Sequence, residues 1–375
     1  MTIEQLNQQL LEAAKNKDAE EVIRLIKARA NIEGTDEKGN TPLHLATENN
    51  KNGTVFFLIE AKANIDTKNQ NGHTPLQLAA MCGNTEAMNA LIKAGAKIEE
   101  KDKEGKTPLQ LAAMRSNTEA MNALIEAGAN MEEKDEKGRT ALHLAVEQDN
   151  FFIAQALLNA EANPNTANRS GCTALMTATT LNNFNIVKLL ISKKADIEAR
   201  SASKETALMK AAMRNHPNII TELLQAKADV NAEDIDNITP LRYAAAHDNR
   251  NTIKALLDAG ADPDREDIFG DTPLNLSVNW NHHGNIEELL KGGADVNKQN
   301  KDGKTPFHCA ATRNDTETIK ALLDAGADVN IKDNNGKTAS DLANEAAQAS
   351  TIGPHTKRVA TTWINGSRQN KKTKE

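Results

Sequence analysis

The sequence predicts an all-α fold, a solenoid of helix-turn-helix units joined by short β-hairpin finger loops, and three observations carry that prediction. A threonine recurs at 41, 74, 107, 140, 173, 206, 239, 272, 305 and 338, always 33 residues after the last, with no insertion or deletion in the register. The text around it is nearly constant, as in "GNTPLHLA", "GHTPLQLA", "GRTALHLA" and "GKTPFHCA". Two short apolar stretches of helical spacing follow each threonine but the last, where Asp341 replaces an apolar residue and no clear second helix follows, and a polar segment closes the unit at a turn.

Each element of the unit has a physical reason. Threonine is a good N-cap and proline fits the first helical position, so "TPL" opens a helix. "LxLAA" gives that helix small and medium apolar side chains on one buried face. A polar break such as "CGN" at 82–84 ends it. The second helix reads "TEAMNALIKAG" at 85–95, with Met88, Leu91 and Ile92 on one side. Gly95 sits where a helix C-terminus favours a left-handed residue. "AKIEEKDKEG" is then too polar for core and forms the finger. Upstream, "LLEAAKNKDAEEVIRLIKARANIE" fits the same frame, which makes about eleven units. Residues 74–106 and 107–139 differ at only eight positions, as a late duplication would.

With the 33-residue period, T-P-L-H-L-A and "GADVN" at 293–297 and 326–330, the chain resembles the ankyrin-repeat family over roughly residues 5–350. The resemblance implies paired antiparallel helices with fingers along one edge, and a concave groove formed by the fingertips and the inner helix face. It divides the chain into a capping repeat at 1–35, nine internal repeats at 36–334, a truncated capping repeat at 335–350 and a basic tail at 351–375. It also marks Asn231, Asn297 and Asn330, in "ADVN", as candidate targets of asparagine hydroxylation.

Departures from the pattern predict local softness. The turn glycine becomes Lys204 and Asn237, and the helix-end glycine is lost at Lys62, Glu161, Lys194 and Lys227. Each loss costs up to ~1 kcal/mol where the backbone needs positive φ. The stretch 161–240 is therefore expected to be softer than the ends.

Composition narrows the function. Aromatic residues make up 3% of the chain and charged ones 26%, so many small side chains are buried rather than one thick aromatic core. No apolar run approaches the ~20 residues of a membrane span, and the opening "MTIEQLNQQLLEAAKNKDAEE" does not read as a secretory signal. Net charge is −7, with +5 on residues 351–375 and −12 on the rest, which argues against a nucleic-acid surface. Cys82, Cys172 and Cys309 lie far apart without a CxxC, so a reducing, cytoplasmic setting fits.

No catalytic, cofactor or metal constellation is visible. His44, His143 and His308 occupy one repeat position three and five periods apart, and the same position carries Gln77, Gln110, Met176, Met209, Arg242 and Asn275. They are read as bonding neighbouring turn backbone. His282 and His283 are placed in a solvated inter-helix loop, and the acid pairs at 99–100 and 132–133 are read as solvated charge. The cysteines lack a local activating partner. The expectation is a non-enzyme without cofactor or metal.

What remains is a surface. The sites four, three and one residues before each threonine, and seven and eight after it, vary from unit to unit, and the resemblance assigns them to the groove. In the N-terminal half the fingertips are polar, for instance Glu37, Lys38 and Asn40, or Lys103, Glu104 and Lys106. Further along stand Ile235 and Ile238, with His247, and then Ile268 and Phe269, with Trp280. Met213 and Arg214 extend this set upstream, as does Leu181, and Asp236, Asp271 and Asp302 rim it. These residues are the expected partner contact of a monomeric protein-binding scaffold, with no nucleic-acid or membrane partner. Stapling of neighbouring repeats is the competing role for the same side chains.

The tail "TIGPHTKRVATTWINGSRQNKKTKE" leaves the register and is basic. Disorder is its default. A nuclear-import-like cluster, an export signal and a lure for acidic surfaces compete as its role. The second functional expectation follows from it: an effector of an intracellular bacterium, delivered into host cytosol and acting through the same groove.

Overall fold

In a computed structural model, residues 1–349 are described apart from 17 and 18, with side chains described to 346. The chain forms two compact units, Met1–Asp196 and Ile197–Glu375, and the division falls inside the stretch expected to be soft. The first unit runs α1 (Ile3–Asn16), α2 (Ala19–Lys27), α3 (Pro42–Glu48), α4 (Asn52–Glu60), α5 (Pro75–Cys82), α6 (Thr85–Lys93), α7 (Pro108–Met114), α8 (Thr118–Glu126), α9 (Ala141–Glu147), α10 (Phe151–Asn159), α11 (Ala174–Thr180) and α12 (Phe184–Ser192). The second runs α13 (Ala207–Met213), α14 (Pro217–Gln225), α15 (Pro240–Ala245), α16 (Arg250–Asp258), α17 (Pro273–Asn279), α18 (His283–Lys291), α19 (Pro306–Arg313), α20 (Thr316–Asp324) and α21 (Ala339–Ala349).

Within each unit, odd-numbered helices pack on odd and even on even, while each odd helix also packs on the even one that follows it. The odd helices are therefore covered on several sides. In α5, Pro75, Leu76, Gln77, Leu78, Ala79 and Ala80 are all buried, whereas α6 buries only Ala87, Met88 and Leu91. Small alanines let these layers approach closely, and Phe307 in α19 is the largest fully buried side chain among the described residues.

The threonine caps behave as their sequence predicts. Thr74 is extended (φ −86°, ψ 164°), its hydroxyl accepts the Gln77 N–H, and Pro75 opens α5. A histidine or glutamine three after the threonine does more. Thr41 N–H donates to His44 Nδ1 (3.2 Å), which leaves Nε2–H to donate to the His73 carbonyl of the next finger (3.0 Å). His143 reaches Cys172 O (3.1 Å) and His308 reaches Lys337 O (3.3 Å) in the same way. Gln77 replaces the imidazole atom for atom: Oε1 accepts Thr74 N–H (2.8 Å) and Nε2 donates to Lys106 O (3.0 Å).

Burial lowers the pKa of His44, His143 and His308 from the ordinary histidine value, so the ring held here is neutral. A depressed folded pKa contributes stability above the unfolded value near 6.5, and that contribution is lost as pH falls through the folded value. Acid titration of stability is expected to show a decline beginning below about pH 6.5. The H44Q/H143Q/H308Q variant should flatten it, as measured by denaturant melts at stepped pH.

Asn275 is too short for this bridge. Its Oδ1 accepts the Thr272 hydroxyl (2.6 Å), while its buried Nδ2 finds no partner. Asn275→Gln is expected to reach the Lys304 carbonyl, the equivalent of Lys106, and to add about 1 kcal/mol. Urea denaturation would show the gain as a higher midpoint.

Two features differ from expectation. The fingers are not β-hairpins: among the described residues only an isolated bridge joins Lys332 and Thr338. Instead, a side chain five residues before the threonine organises each tip. Asp102 Oδ1 accepts the N–H groups of Glu104 (2.9 Å) and Lys106 (2.8 Å), and Asp234 and Asp267 act likewise. The acid pairs are not simply solvated either. Glu99 Oε1 accepts the Asn130 N–H (2.7 Å) and Glu132 Oε1 accepts Asn163 N–H (2.8 Å), joining one loop to the next. Burial raises the Glu99 pKa, although that accepted N–H pulls it down. Glu100 and Glu133 pair with Lys68 (2.7 Å) and Lys101 (2.8 Å).

The lost glycines do leave left-handed lysines, with φ of 62°, 59° and 66° at Lys194, Lys204 and Lys227. Glycine at Lys194 and Lys227 together is expected to raise stability by about 1 kcal/mol, read as a higher thermal midpoint.

Candidate functional site

In the second unit, four large apolar side chains stand in solvent: Ile235 (56% exposed), Ile268 (41%), Phe269 (64%) and Trp280 (63%). They come from two neighbouring repeats. Ile235 lies at the tip before α15, Ile268 and Phe269 at the tip before α17, and Trp280 caps the C-terminus of α17. A tryptophan stapled between repeats would lose most of its surface, and Trp280 keeps it. The remaining residues singled out from sequence are less open. Arg214 is exposed, whereas Met213 and Ile238 are half-buried. His247 is half-buried too, and its Nε2 lies 2.7 Å from the Met213 carbonyl, so its ring is committed to the preceding repeat. Leu181 is exposed but belongs to the first unit.

The tips carrying the patch are held by residues that the sequence reading passed over. Asp267 is buried. Its Oδ1 accepts the N–H groups of Phe269 (2.8 Å) and Asp271 (3.0 Å), and its Oδ2 takes the Arg242 guanidinium. Tyr243 replaces the usual leucine and donates its hydroxyl to Asp234 Oδ2 (2.5 Å); burial, then that carboxylate, raises its pKa. The missed signal was periodic: Asp or Asn stands five residues before the threonine in nine of ten units, with Ser201 the exception.

Adjacent tips are also joined by backbone. Lys38 O accepts Gln70 N–H (2.9 Å), Glu104 O accepts Glu136 N–H (3.1 Å), and in the second unit Ser203 O accepts Ile235 N–H (3.2 Å) and Phe269 O accepts Lys301 N–H (3.1 Å). Gly270 permits the close approach, since a Cβ there would stand 2.8 Å from Lys301 N. The equivalent rung between Asp236 O and Ile268 N–H is missing, and neither group has another protein partner among the described residues. Asn237 (φ 61°) occupies the glycine position at that rung. A Cβ is not the whole reason, because the rung beside Lys204 survives. The ladder is thus open between the tip that carries Ile235 and the tip that carries Ile268 and Phe269. Asp236 at the first of these tips is exposed and forms no ion pair among the described residues.

Other candidates carry less. His282 caps α18 rather than lying in a solvated loop, with Nδ1 3.1 Å from Ala245 O, and His283 is the first residue of that helix, 3.9 Å from both Asp315 and Glu317. No group of three or more His, Cys, Asp or Glu among the described residues is placed to hold a metal ion. Burial raises the Cys82 thiol and pushes Cys309 up to about 11, the opposite of an activated nucleophile. An open depression of about 480 Å³ is lined by Glu233, Asp262, Asp264, Arg265, Glu266 and Lys298. Its cations already pair with its own carboxylates, Lys298 with Glu266 at 2.9 Å and Arg265 with Glu233 at 3.5 Å. No helix among the described residues is long and apolar enough to cross a membrane.

Asn231 and Asn297 are structural. Asn231 Oδ1 accepts Asp262 N–H (2.8 Å) and its Nδ2 donates to Gly260 O (3.1 Å); Asn297 repeats the pattern with Asp328 and Gly326. Among the described residues, Asn330 bonds only within its own turn, to Asp328.

A family model described as ankyrin repeats (3 copies) matches overlapping stretches that together run from residue 10 to residue 350. The chain belongs to the ankyrin-repeat family. Among solved structures it is similar to the ankyrin repeat domain of Bcl-3, a member of the IkappaB protein family. That similarity has 29% identity and a TM-score of 0.55, over 59% of this chain and 99% of the other. No curated protein matches. Ankyrin repeats are a protein–protein interaction fold and typically lack catalytic activity. The residues from 351 onward, including Trp363 and the basic cluster, lie outside the described residues.

Proposed function

We propose that this ankyrin array is a non-catalytic scaffold that binds a partner protein through the tips and inner helix ends of the repeats at Thr239 and Thr272. The observation that carries this reading is the open patch of Ile235, Ile268, Phe269 and Trp280. Four large apolar side chains in solvent, in a chain with two tryptophans and seven phenylalanines, are a concentration that folding does not require. Desolvating such aromatic anchors at the centre of an interface is where binding energy concentrates. Arg214, exposed on the preceding repeat, extends the contact, and the half-buried Ile238, Met213 and His247 add to it. The test is affinity capture with the intact chain and with Ile268, Phe269 and Trp280 replaced, alongside thermal melts of both. Equal capture by both would remove the patch from the interface.

A further inference from the structure

Six arginines lie in the described part of the second unit, and four are bonded to neighbours. Arg200 donates to the Glu233 carbonyl (2.7 Å), Arg242 pairs with Asp267, Arg250 with Glu288 (2.6 Å) and Arg265 with Glu233 (3.5 Å). The other two, Arg214 and Arg313, are exposed, and their guanidinium groups form no ion pair or hydrogen bond among the described residues. Acids are not scarce, since residues 197–350 hold 25 Asp and Glu against 17 Lys and Arg. Two cations have therefore been left open where partners abound.

Both stand where Trp280 stands, eight residues after a repeat threonine at the C-terminal end of an inner helix. Because α13, α15, α17 and α19 pack in succession, these ends form a row of Arg214, His247, Trp280 and Arg313. The residues just before the last three, Ala246, Asn279 and Thr312, are short, so no long side chain of theirs covers the row. A cation at a helix C-terminus also complements the helix dipole. That accounts for each arginine singly but not for the exposed indole between them. Asp248, exposed beside His247, is an opposing charge. The row therefore suits anions spaced along a peptide better than the uniform polyanion of a nucleic acid.

We propose that the partner presents an acidic segment to this row, with an apolar side chain on Trp280 between carboxylates that pair with Arg214 and Arg313. This rests on the patch of Ile268, Phe269 and Trp280 being the partner site. Arginine–carboxylate pairs fix the segment's register, and the aromatic anchor supplies affinity. The helix spacing sets the pattern. Arg214 lies two helix steps from Trp280 and Arg313 one, about 20 and 10 Å. Glutamates six residues before and four after a leucine share its face of an extended chain, at about 20 and 13 Å.

The probes are a synthetic peptide of that pattern and its copies with glutamine or lysine for both glutamates. The protein is the full chain carrying W363F, so that Trp280 is its sole tryptophan. The acidic peptide is expected to move Trp280 emission to shorter wavelength, and the glutamine copy to bind at least tenfold more weakly. R214E/R313E should weaken the acidic peptide at least tenfold and admit the lysine copy instead, which a merely structural role of the arginines would not do. R115E, at the same helix-end position in the first unit between Cys82 and Gln148, should change nothing. No emission change, equal affinity for the acidic and glutamine peptides, or an equal loss in R115E each overturns the proposal. Tighter binding of oligothymidylate than of the acidic peptide also overturns it and assigns the row to nucleic acid. The two readings fail separately. If capture is lost on replacing Ile268, Phe269 and Trp280 but neither capture nor the acidic peptide responds to R214E/R313E, the patch stands and the acidic class falls. If capture survives that replacement, the partner site is elsewhere, and the peptide titrations still decide whether the row reads carboxylates.

Discussion

Replacing Ile268, Phe269 and Trp280 with serine, serine and alanine is expected to weaken partner capture by at least a hundredfold while leaving the melting midpoint within a few degrees. The two halves of that result have separate causes. Each aromatic or aliphatic anchor at an interface centre is worth roughly 2 kcal/mol or more, and a factor of ten corresponds to about 1.4 kcal/mol. The three side chains are 41%, 64% and 63% exposed, so the free protein gains little from them. A collapse of melting with capture intact would make the patch structural. Binding assays at matched folded concentration, with circular dichroism on the same samples, check both halves at once.

The second large effect is expected at Asp267. Its carboxylate holds two tip N–H groups and neutralises Arg242, whose side chain is largely enclosed. Asp267→Ala leaves a guanidinium without its partner and two N–H groups without an acceptor, for a cost of about 3 kcal/mol. Asp267→Asn keeps an acceptor for the tip and should cost about 1 kcal/mol less. Because the same tip presents Ile268 and Phe269, the alanine variant should also lose partner capture. Urea unfolding of the two variants side by side would settle the order; equal stability would show that Arg242 finds water instead.

Much of this was legible in the sequence, for a physical reason. Helix starts are local events, so Thr-Pro-Leu and the alanine spacing state them directly, and the recurrence at 33 residues repeats the statement ten times. The apolar patch was legible for the converse reason: Ile235, Ile268, Phe269 and Trp280 break a pattern whose other members are mostly polar. What escaped was relational. Whether His247 faces a partner or the Met213 carbonyl depends on a neighbour's backbone 34 residues away. The missing rung at Ile268 is a difference between two loops, each ordinary by itself. The acid pairs misled because surface carboxylates are normally solvated, and only the neighbouring turn makes Glu99 an acceptor for Asn130.

That loop-to-loop bond carries a consequence for the history of the chain. An oxygen eight residues before one threonine always accepts the N–H ten residues before the next: Asp66 from Lys97, Glu99 from Asn130, Asp264 from Asp295 and Asn297 from Asp328. Glutamate, aspartate and asparagine are interchangeable there, because only the oxygen is used. Cutting out any internal block of 33 residues therefore rejoins an acceptor to a donor of the same kind, and copying a block inserts a matched pair. The array can be lengthened or shortened by unequal crossing-over without creating an orphan at the scar. The twin blocks 74–106 and 107–139, alike at all but eight positions, are what such an event leaves behind.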